Sequence, residues 1–348
     1  MKIDPSGVSR ILVIKLRAIG DVLLSTVVLR NLRIAFPDSR IDFLTELPSR
    51  DVIEGNRDVD SVLAFDRKSG SSAGLIMDVR RRKYDLVIDL FANPRSALIT
   101  RLSGARTRVG FPFGWRKYCY NILVEPRGGK VHNTEFNLDA LRGLGIPIIE
   151  ARPRFPLDDA SEAFARAFFE GSNLTGERVI ALNAGGGWYT KRWRAAQFAA
   201  LGDRLASQFE ARIVVIWGPG ERTAAEELRS MMHAPSLLIP PANLKELGAI
   251  LRKCTMLVTN DSGPMHIAAA VGTPVVAIFG PTNPQLQGPV GAEHEIVQHK
   301  ELLCLGCNYT ECPIGNPCME ELSVDDVFTA AVRLSERIPN LSPVHERT

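Results

Sequence analysis

Residues 10–36 read RILVIKLRAIGDVLLSTVVLRNLRIAF. The apolar run within 10–15 suits a short buried strand. Ala18, Ile19, Gly20 and Asp21 make a turn. Residues 22–36 then place Val22, Leu23, Val27, Leu29 and Leu32 at helical spacing until Pro37 and Asp38 stop the helix. Working outward, further strands are predicted over 40–45, 62–65, 85–90 and 107–110, with helices over 75–83 and 96–103. A proline-punctuated connector over 146–156 interrupts the alternation, which then restarts. Strands are predicted over 179–182, 212–217, 237–239, 256–259 and 274–279. Helices are predicted over 195–209, 224–232, 244–252, 264–271 and 324–337, the last capped by Ser323 with Asp325 and Asp326 in its first turn. The residues after it read as a frayed tail. Alternating strands and helices predict an α/β fold of parallel, doubly wound sheets. The connector divides it into an N-terminal domain over 1–155 and a C-terminal domain over 156–340. Ligands in such sheets sit at the carboxyl ends of the strands. With two domains face to face, the expected ligand site is the cleft between them.

Composition agrees with this reading. At 348 residues, with 45% hydrophobic and 23% charged residues, the chain has the balance of a globular protein and not of a disordered one. Six cysteines are too few for a disulfide framework in a chain of this length. The longest apolar runs fall far short of the ~20 residues a spanning helix needs. The N-terminal run is broken by Lys15, Arg17 and Asp21, unlike a signal peptide, so the expected compartment is the cytoplasm. The net charge of +3 conceals an asymmetry. Residues 1–155 hold 26 Lys and Arg against 17 Asp and Glu, whereas the remainder is net acidic. A basic first half suits an anionic partner, or is a solvated Arg-rich surface.

Four loops after the C-terminal strands carry small or polar residues: Gly185-Gly186-Gly187 with Lys191 and Arg192, Gly218 to Glu221, Asn260 to His266, and Gly280 to Asn283. Pro264 suits the first turn of a helix whose free N–H groups would receive an anion such as a diphosphate. Lys191 and Arg192 add positive charge, and Glu221 or Asp261 could accept hydrogen bonds from ribose or a base. No G-x-G-x-x-G or G-x-x-x-x-G-K-[ST] occurs, which gives no support to a hydride-transfer enzyme or a P-loop kinase. Taken singly, each loop also reads as an ordinary turn.

Together, Lys15 to Val22, Lys191-Arg192-Trp193, the block from Asn260 to Ala269, and Phe279 to Thr282 resemble glycosyltransferase family 9, the ADP-heptose:lipopolysaccharide heptosyltransferases. The resemblance covers almost the whole chain in order, and D-S-G-x-x-H followed by G-P-T is its most specific part. It implies a GT-B fold of two Rossmann-like domains, with the acceptor on the first and the nucleotide-sugar on the second. It implies an inverting transfer without a catalytic metal or other catalytic cofactor. The catalytic base falls on Asp21. Donor-binding positions fall on Gly186, Gly187, Lys191, Glu221, Asp261, Ser262, Gly263 and His266. Where the family commonly has hydroxyl residues before the Lys, this chain has glycines, and backbone N–H groups are expected to take that role.

The chemistry fits these residue types. A carboxylate within hydrogen-bond reach can take the proton of an acceptor hydroxyl, and a Lys beside a helix N-terminus can stabilise a departing diphosphate. By spacing alone, Asp21 also reads as the N-cap of the helix at 22, and His266 as a structural histidine. The basic half gains an explanation in an anionic lipopolysaccharide core acceptor. Arg95, Arg116, Lys117 and Lys130 are the expected acceptor contacts, joined by Arg106 and Arg108. Trp115, Tyr118 and Tyr120 interleave with these charges, suited to a sugar or the inner face of the cytoplasmic membrane, where the enzyme would be peripheral. No nucleic-acid recognition motif is present.

Cys304, Cys307, Cys312 and Cys318 are spaced C-x₂-C-x₄-C-x₅-C. Three readings stand: a structural zinc distant from the chemistry, reduced thiols packed in a loop, or one or two disulfides. Cys119 and Cys254 read as inert packing. Against heptose transfer stand three alternatives: a family transferase with another donor or acceptor, an inactive nucleotide- or glycan-binding protein of the same fold, and a sugar-nucleotide epimerase, whose extra acid/base residues cannot be assigned.

Overall fold

The run after Arg10 forms β1 (Arg10–Ile14), in which Ile11, Leu12, Val13 and Ile14 are fully buried. A strand without alternation is buried on both faces, and helices on both sides of a parallel sheet provide that environment. The computed structural model describes residues 3, 7–68, 70–127 and 129–338. The expected frayed tail lies outside them. The chain divides into two compact units, Met1–Pro156 and Leu157–Thr348.

In the first unit β1 is followed by α1 (Ile19–Ser25), α2 (Val27–Ala35), β2 (Arg40–Glu46), α3 (Arg50–Ile53), β3 (Ser61–Phe65), α4 (Ser72–Arg81), β4 (Leu86–Asp89), α5 (Pro94–Leu102), β5 (Thr107–Gly110), β6 (Ile122–Leu123) and α6 (Asn133–Gly143). The sheet order is β3-β2-β1-β4-β5-β6, every pair parallel. The chain therefore reverses its winding between β1 and β4, and that switch point opens a crevice at the strands' carboxyl ends.

The second unit repeats the plan. It runs α7 (Asp159–Gly171), β7 (Val179–Asn183), α8 (Ala195–Phe209), β8 (Arg212–Val215), α9 (Arg222–Met231), β9 (Ser236–Leu238), α10 (Leu244–Lys253), β10 (Met256–Asn260), α11 (Gly263–Val271), β11 (Val275–Ile278), α12 (Pro284–Gln287), β12 (His294–Val297), α13 (Pro317–Glu320) and α14 (Val324–Ser335). Its order, β12-β11-β10-β7-β8-β9, is again parallel throughout, with the switch between β7 and β10. Trp193, Phe198 and Phe209 pack with β7, β8 and α14 into its core.

Several local expectations are corrected. The helix predicted over 22–36 is two helices that begin at Ile19 and break at Thr26. The Ser25 and Thr26 hydroxyls donate to the carbonyls of Val22 and Leu23, both at 2.7 Å, and draw the backbone into a tighter turn. Asp21 is consequently not the N-cap. It sits in the first turn, where its carboxylate reaches back to the Ala18 N–H. Helices α6 and α7 and strands β6 and β12 had no counterpart in the sequence reading. α6 buries Thr134, Asn137 and Asp139 beside Leu138 and Leu141, so its inner face does not stand out as apolar.

Candidate active site

In the first unit the candidate groups gather where β1, β2 and β4 end. Asp21 Oδ1 accepts a hydrogen bond from Asn133 Nδ2 at 2.7 Å, and Oδ2 accepts from the Ala18 N–H at 3.3 Å. Behind it Lys15 is buried and donates from Nζ to the Leu90 carbonyl at 3.1 Å. Burial lowers the Lys15 pKa, opposed by the charges of Asp21 and Asp89. Burial likewise raises that of Asp89, opposed by N–H donors from Ala92 and Phe91 and the Tyr120 hydroxyl.

The basic residues of this unit separate into two kinds. Arg95 lies near Glu46, at 4.0 Å, with its guanidinium over the Phe65 ring. Lys117 and Lys130 are exposed. Arg116 instead clamps two loops together, donating to the carbonyls of Ala92 at 2.6 Å and Phe113 at 3.0 Å. Arg108 is similarly engaged by the carbonyls of Ala105 and Cys119. Trp115 and Tyr118 are exposed, but Tyr120 is not part of that surface. It is buried, with its hydroxyl donating to Asp89 Oδ2 at 2.7 Å. A phenol placed two residues beyond Tyr118 faces inward because β5 and β6 turn it under Gly110, where an added Cβ would fall 2.4 Å from its ring.

In the second unit the loops after β7, β10 and β11 meet around one carboxylate. Asp261 is buried, and its Oδ2 accepts from Lys191 Nζ at 2.7 Å and from Thr282 Oγ1 at 2.6 Å. Lys191 also lies over the Trp188 ring, 4.5 Å from its centroid. The two chains of the switch point are tied by Asn260, which donates to the carbonyls of Ala184 and Gly185, and by Asn183, which donates to Thr259 and Ser262. Ser262 stands at the N-cap of α11 but makes no cap bond, because its hydroxyl is turned to Asn183 and Thr259. The leading N–H groups of α11, starting at Gly263, are thus left for an anion rather than closed by their own cap. His266 is buried in the first turns of that helix.

Glu221 heads α9, and its Oε2 accepts from the Gly218 N–H at 3.0 Å. A Cβ at position 185 would lie 2.7 Å from either oxygen of that carboxylate, so glycine there is a condition of Glu221's placement. Gly186 gives its carbonyl to Arg192, and Gly187 faces open space. Gly185, Arg192, Trp217 and Glu221 share the lining of a cavity of about 430 Å³. The sequence reading missed Asn133 and Asn183; it singled out Gly185, Asn260 and Thr282 as members of polar loops, without the supporting roles they take here. Thr282 is the last residue of the G-P-T block and Asn260 precedes Asp261, whereas no sequence signal marked Asn133.

The geometry is two doubly wound sheets, one with a carboxylate at its switch point, the other with a cation, a buried carboxylate and an open helix N-terminus. A family model, glycosyltransferase family 9 (heptosyltransferase), matches residues 73–317. The chain belongs to that family. It is therefore a glycosyltransferase, and its fold is GT-B. Among relatives, lipopolysaccharide heptosyltransferase 3 of Escherichia coli is 28% identical over 282 residues, 76% of this chain and 81% of that protein. The crystal structure of a family 9 glycosyltransferase from Veillonella parvula superposes with a TM-score of 0.84 at 26% identity, covering 94% of this chain and 97% of that one. E. coli ADP-heptose LPS heptosyltransferase II shares the fold, with a TM-score of 0.76 at 20% identity over 93% and 98% of the two chains.

The cysteine loop is not remote from these groups. Gly306 and Asn308 donate their N–H groups to the carbonyls of Gly280 and Pro281, and Thr190 donates to the Tyr309 carbonyl at 2.8 Å. Cys318 Sγ presses on Gly280, leaving no room for a Cβ there. The loop thus packs on the segments that carry Thr282 and Lys191. All four cysteines are free thiols, with Cys304 exposed and Cys318 buried. Burial and the neighbouring thiols push Cys318 up to about 11. Among the described residues no group of three His, Cys, Asp or Glu side chains has the geometry to hold a metal ion.

Proposed function

We propose that this glycosyltransferase moves heptose from ADP-heptose to an anionic lipopolysaccharide core acceptor, with inversion at the anomeric carbon. The observation that carries the donor half is the Lys191–Asp261–Thr282 cluster beside the open N-terminus of α11. As the glycosidic C–O bond breaks, charge grows on the β-phosphate of the leaving ADP. Lys191 and the α11 N–H groups are placed to hold it, which supplies the electrostatic work without calling on a metal ion or other cofactor. His266, Ser262, Gly186 and Gly187 complete the phosphate and sugar contacts, while Glu221 receives ribose hydroxyls beside the cavity.

Asp21 acts as general base on the acceptor hydroxyl. Its oxygens accept from Asn133 and Ala18, which leaves further lone pairs for the incoming proton. One displacement at the anomeric carbon inverts it. The names of the E. coli relatives, both heptosyltransferases and one naming ADP-heptose, support heptose and ADP. The basic first unit supports an acidic acceptor, with Arg95, Arg116, Lys117 and Lys130 as its contacts. Among the described residues no helix is long and apolar enough to cross a membrane. Exposed Trp115 and Tyr118 beside Lys117 support peripheral contact with the cytoplasmic face of the inner membrane.

Calorimetric titration with ADP-heptose, ADP, UDP and GDP tests the donor assignment. Selective binding of ADP-heptose and ADP, weakened by Asp261→Ala, is expected. Preference for UDP or GDP would discard ADP-heptose while leaving the family assignment intact.

A further inference from the structure

We propose that Asn133 is a positioning residue, which fixes the orientation of the Asp21 carboxylate for proton abstraction. The inference rests on the reading of Asp21 as the base. Asn133 lies 112 residues from Asp21 in sequence, and α6 packs against α1 to bring them together. Its Nδ2 donates to Oδ1 at 2.7 Å while the Ala18 N–H holds Oδ2 at 3.3 Å. Each carboxylate oxygen is thereby addressed by one donor, and rotation of the group about its Cβ–Cγ bond would sacrifice both bonds.

The donor itself is held. Asn133 is the first residue of α6, next to His132, whose ring nitrogen accepts from the Thr134 N–H at 3.2 Å and caps the helix. The Asn133 carbonyl accepts from Asn137 Nδ2 at 2.8 Å. With the backbone pinned on both sides, a short amide side chain has little freedom to leave Asp21. Its chemistry also suits the task. An amide orients a carboxylate without adding a positive charge, whereas Lys or Arg at the same distance would form an ion pair and weaken the base. A mispositioning of about 1 Å costs on the order of a hundredfold in rate, and this sets the scale of the contribution.

Two measurements test this on the full-length protein. The first needs no substrate. The Asn133 side-chain amide signals, identified by their loss in Asn133→Ala, are followed by ¹H–¹⁵N NMR through an acid titration. They are expected to shift as Asp21 takes up a proton and to lose that shift in Asp21→Asn. An unchanging signal, or the same shift in Asp21→Asn, overturns the inference. The second is steady-state kinetics with ADP-heptose. Asn133→Ala should lower kcat by about 10–100-fold with both KM values within about twofold and little change in Tm. Asn133→Asp places a second carboxylate against the first, so the pair shares a proton and the acid limb of the kcat profile moves to higher pH. A purely structural Asn133 would lower Tm and leave that limb in place. If the wild type fails to turn over ADP-heptose, the heptose reading falls alone, and the NMR titration still decides the role of Asn133.

Discussion

The Lys191 ammonium and the Asp261 carboxylate meet at 2.7 Å, although 70 residues separate them, because β7 and β10 are neighbours at the switch point of the second sheet. Asp261 is buried with Thr282 as its other side-chain donor, so the pair is a preformed polar centre and not a surface ion pair. Removing the cation leaves a buried carboxylate with one neutral donor. Lys191→Met should therefore weaken ADP binding by about 10–100-fold, whereas Thr282→Val should cost about a factor of ten or less. Calorimetry on both variants measures this, and equal losses would mean that the hydroxyl matters as much as the charge.

Gly185 and Gly187 make a contrasting pair. An added methyl at 185 meets the Glu221 carboxylate at 2.7 Å, while 187 opens on free space. Gly185→Ala should push aside the Glu221 carboxylate, the far end of a flexible side chain, and so reduce donor affinity with a stability loss of no more than about 1 kcal/mol. Gly187→Ala should stay within about 0.5 kcal/mol of wild type. Donor titration of the two variants, with thermal unfolding as the control, checks the contrast, and equal donor affinity would mean that Glu221 keeps its place.

Tyr120→Phe removes the hydroxyl that donates to the fully buried Asp89 carboxylate. The expected cost is about 1.5–3 kcal/mol in urea unfolding, with acceptor KM unchanged. A variant of wild-type stability and raised KM would return Tyr120 to the acceptor surface.

Among the cations of the first unit, Lys117 and Lys130 are the clean probes, being exposed, whereas reversing Arg116 would also break its loop clamp. The double change Lys117→Glu and Lys130→Glu should raise acceptor KM several-fold at low salt, with the effect fading as ionic strength rises. Donor affinity should be untouched. An unchanged acceptor KM would remove these lysines from the acceptor site.

Burial pushes the Cys254 thiol up to about 12 from 9.0. The folded state thus resists ionisation that the unfolded chain undergoes. Its contribution to stability is complete below the unfolded pKa and is lost as pH rises from about 9 towards about 12, by at most about 1.4 kcal/mol per pH unit. Cys254→Ala should flatten the alkaline fall of the urea midpoint. An identical fall would assign it to other groups.

Much of the architecture was legible because short buried strands such as β1 and β10, each leading through a few residues into a helix, admit few other arrangements. Asp21, Lys191, Asp261 and His266 stood out through the family resemblance, because the motifs that carry it are local. The inward turn of Tyr120 was not, since its neighbours Trp115 and Tyr118 look alike in sequence and are exposed. Helix α6 escaped notice because it buries polar side chains, and with it went Asn133.

The sequence by itself determined two doubly wound sheets and the residue types at their strand ends, because hydrophobic periodicity and loop chemistry act over a few residues. Tertiary structure alone decided that Asn133 touches Asp21, that Thr282 touches Asp261, and that the cysteine loop rests on the segment before Thr282. Those contacts follow from which strands lie side by side and how helices pack on them, and their partners are 112, 21 and 26 residues apart in the chain.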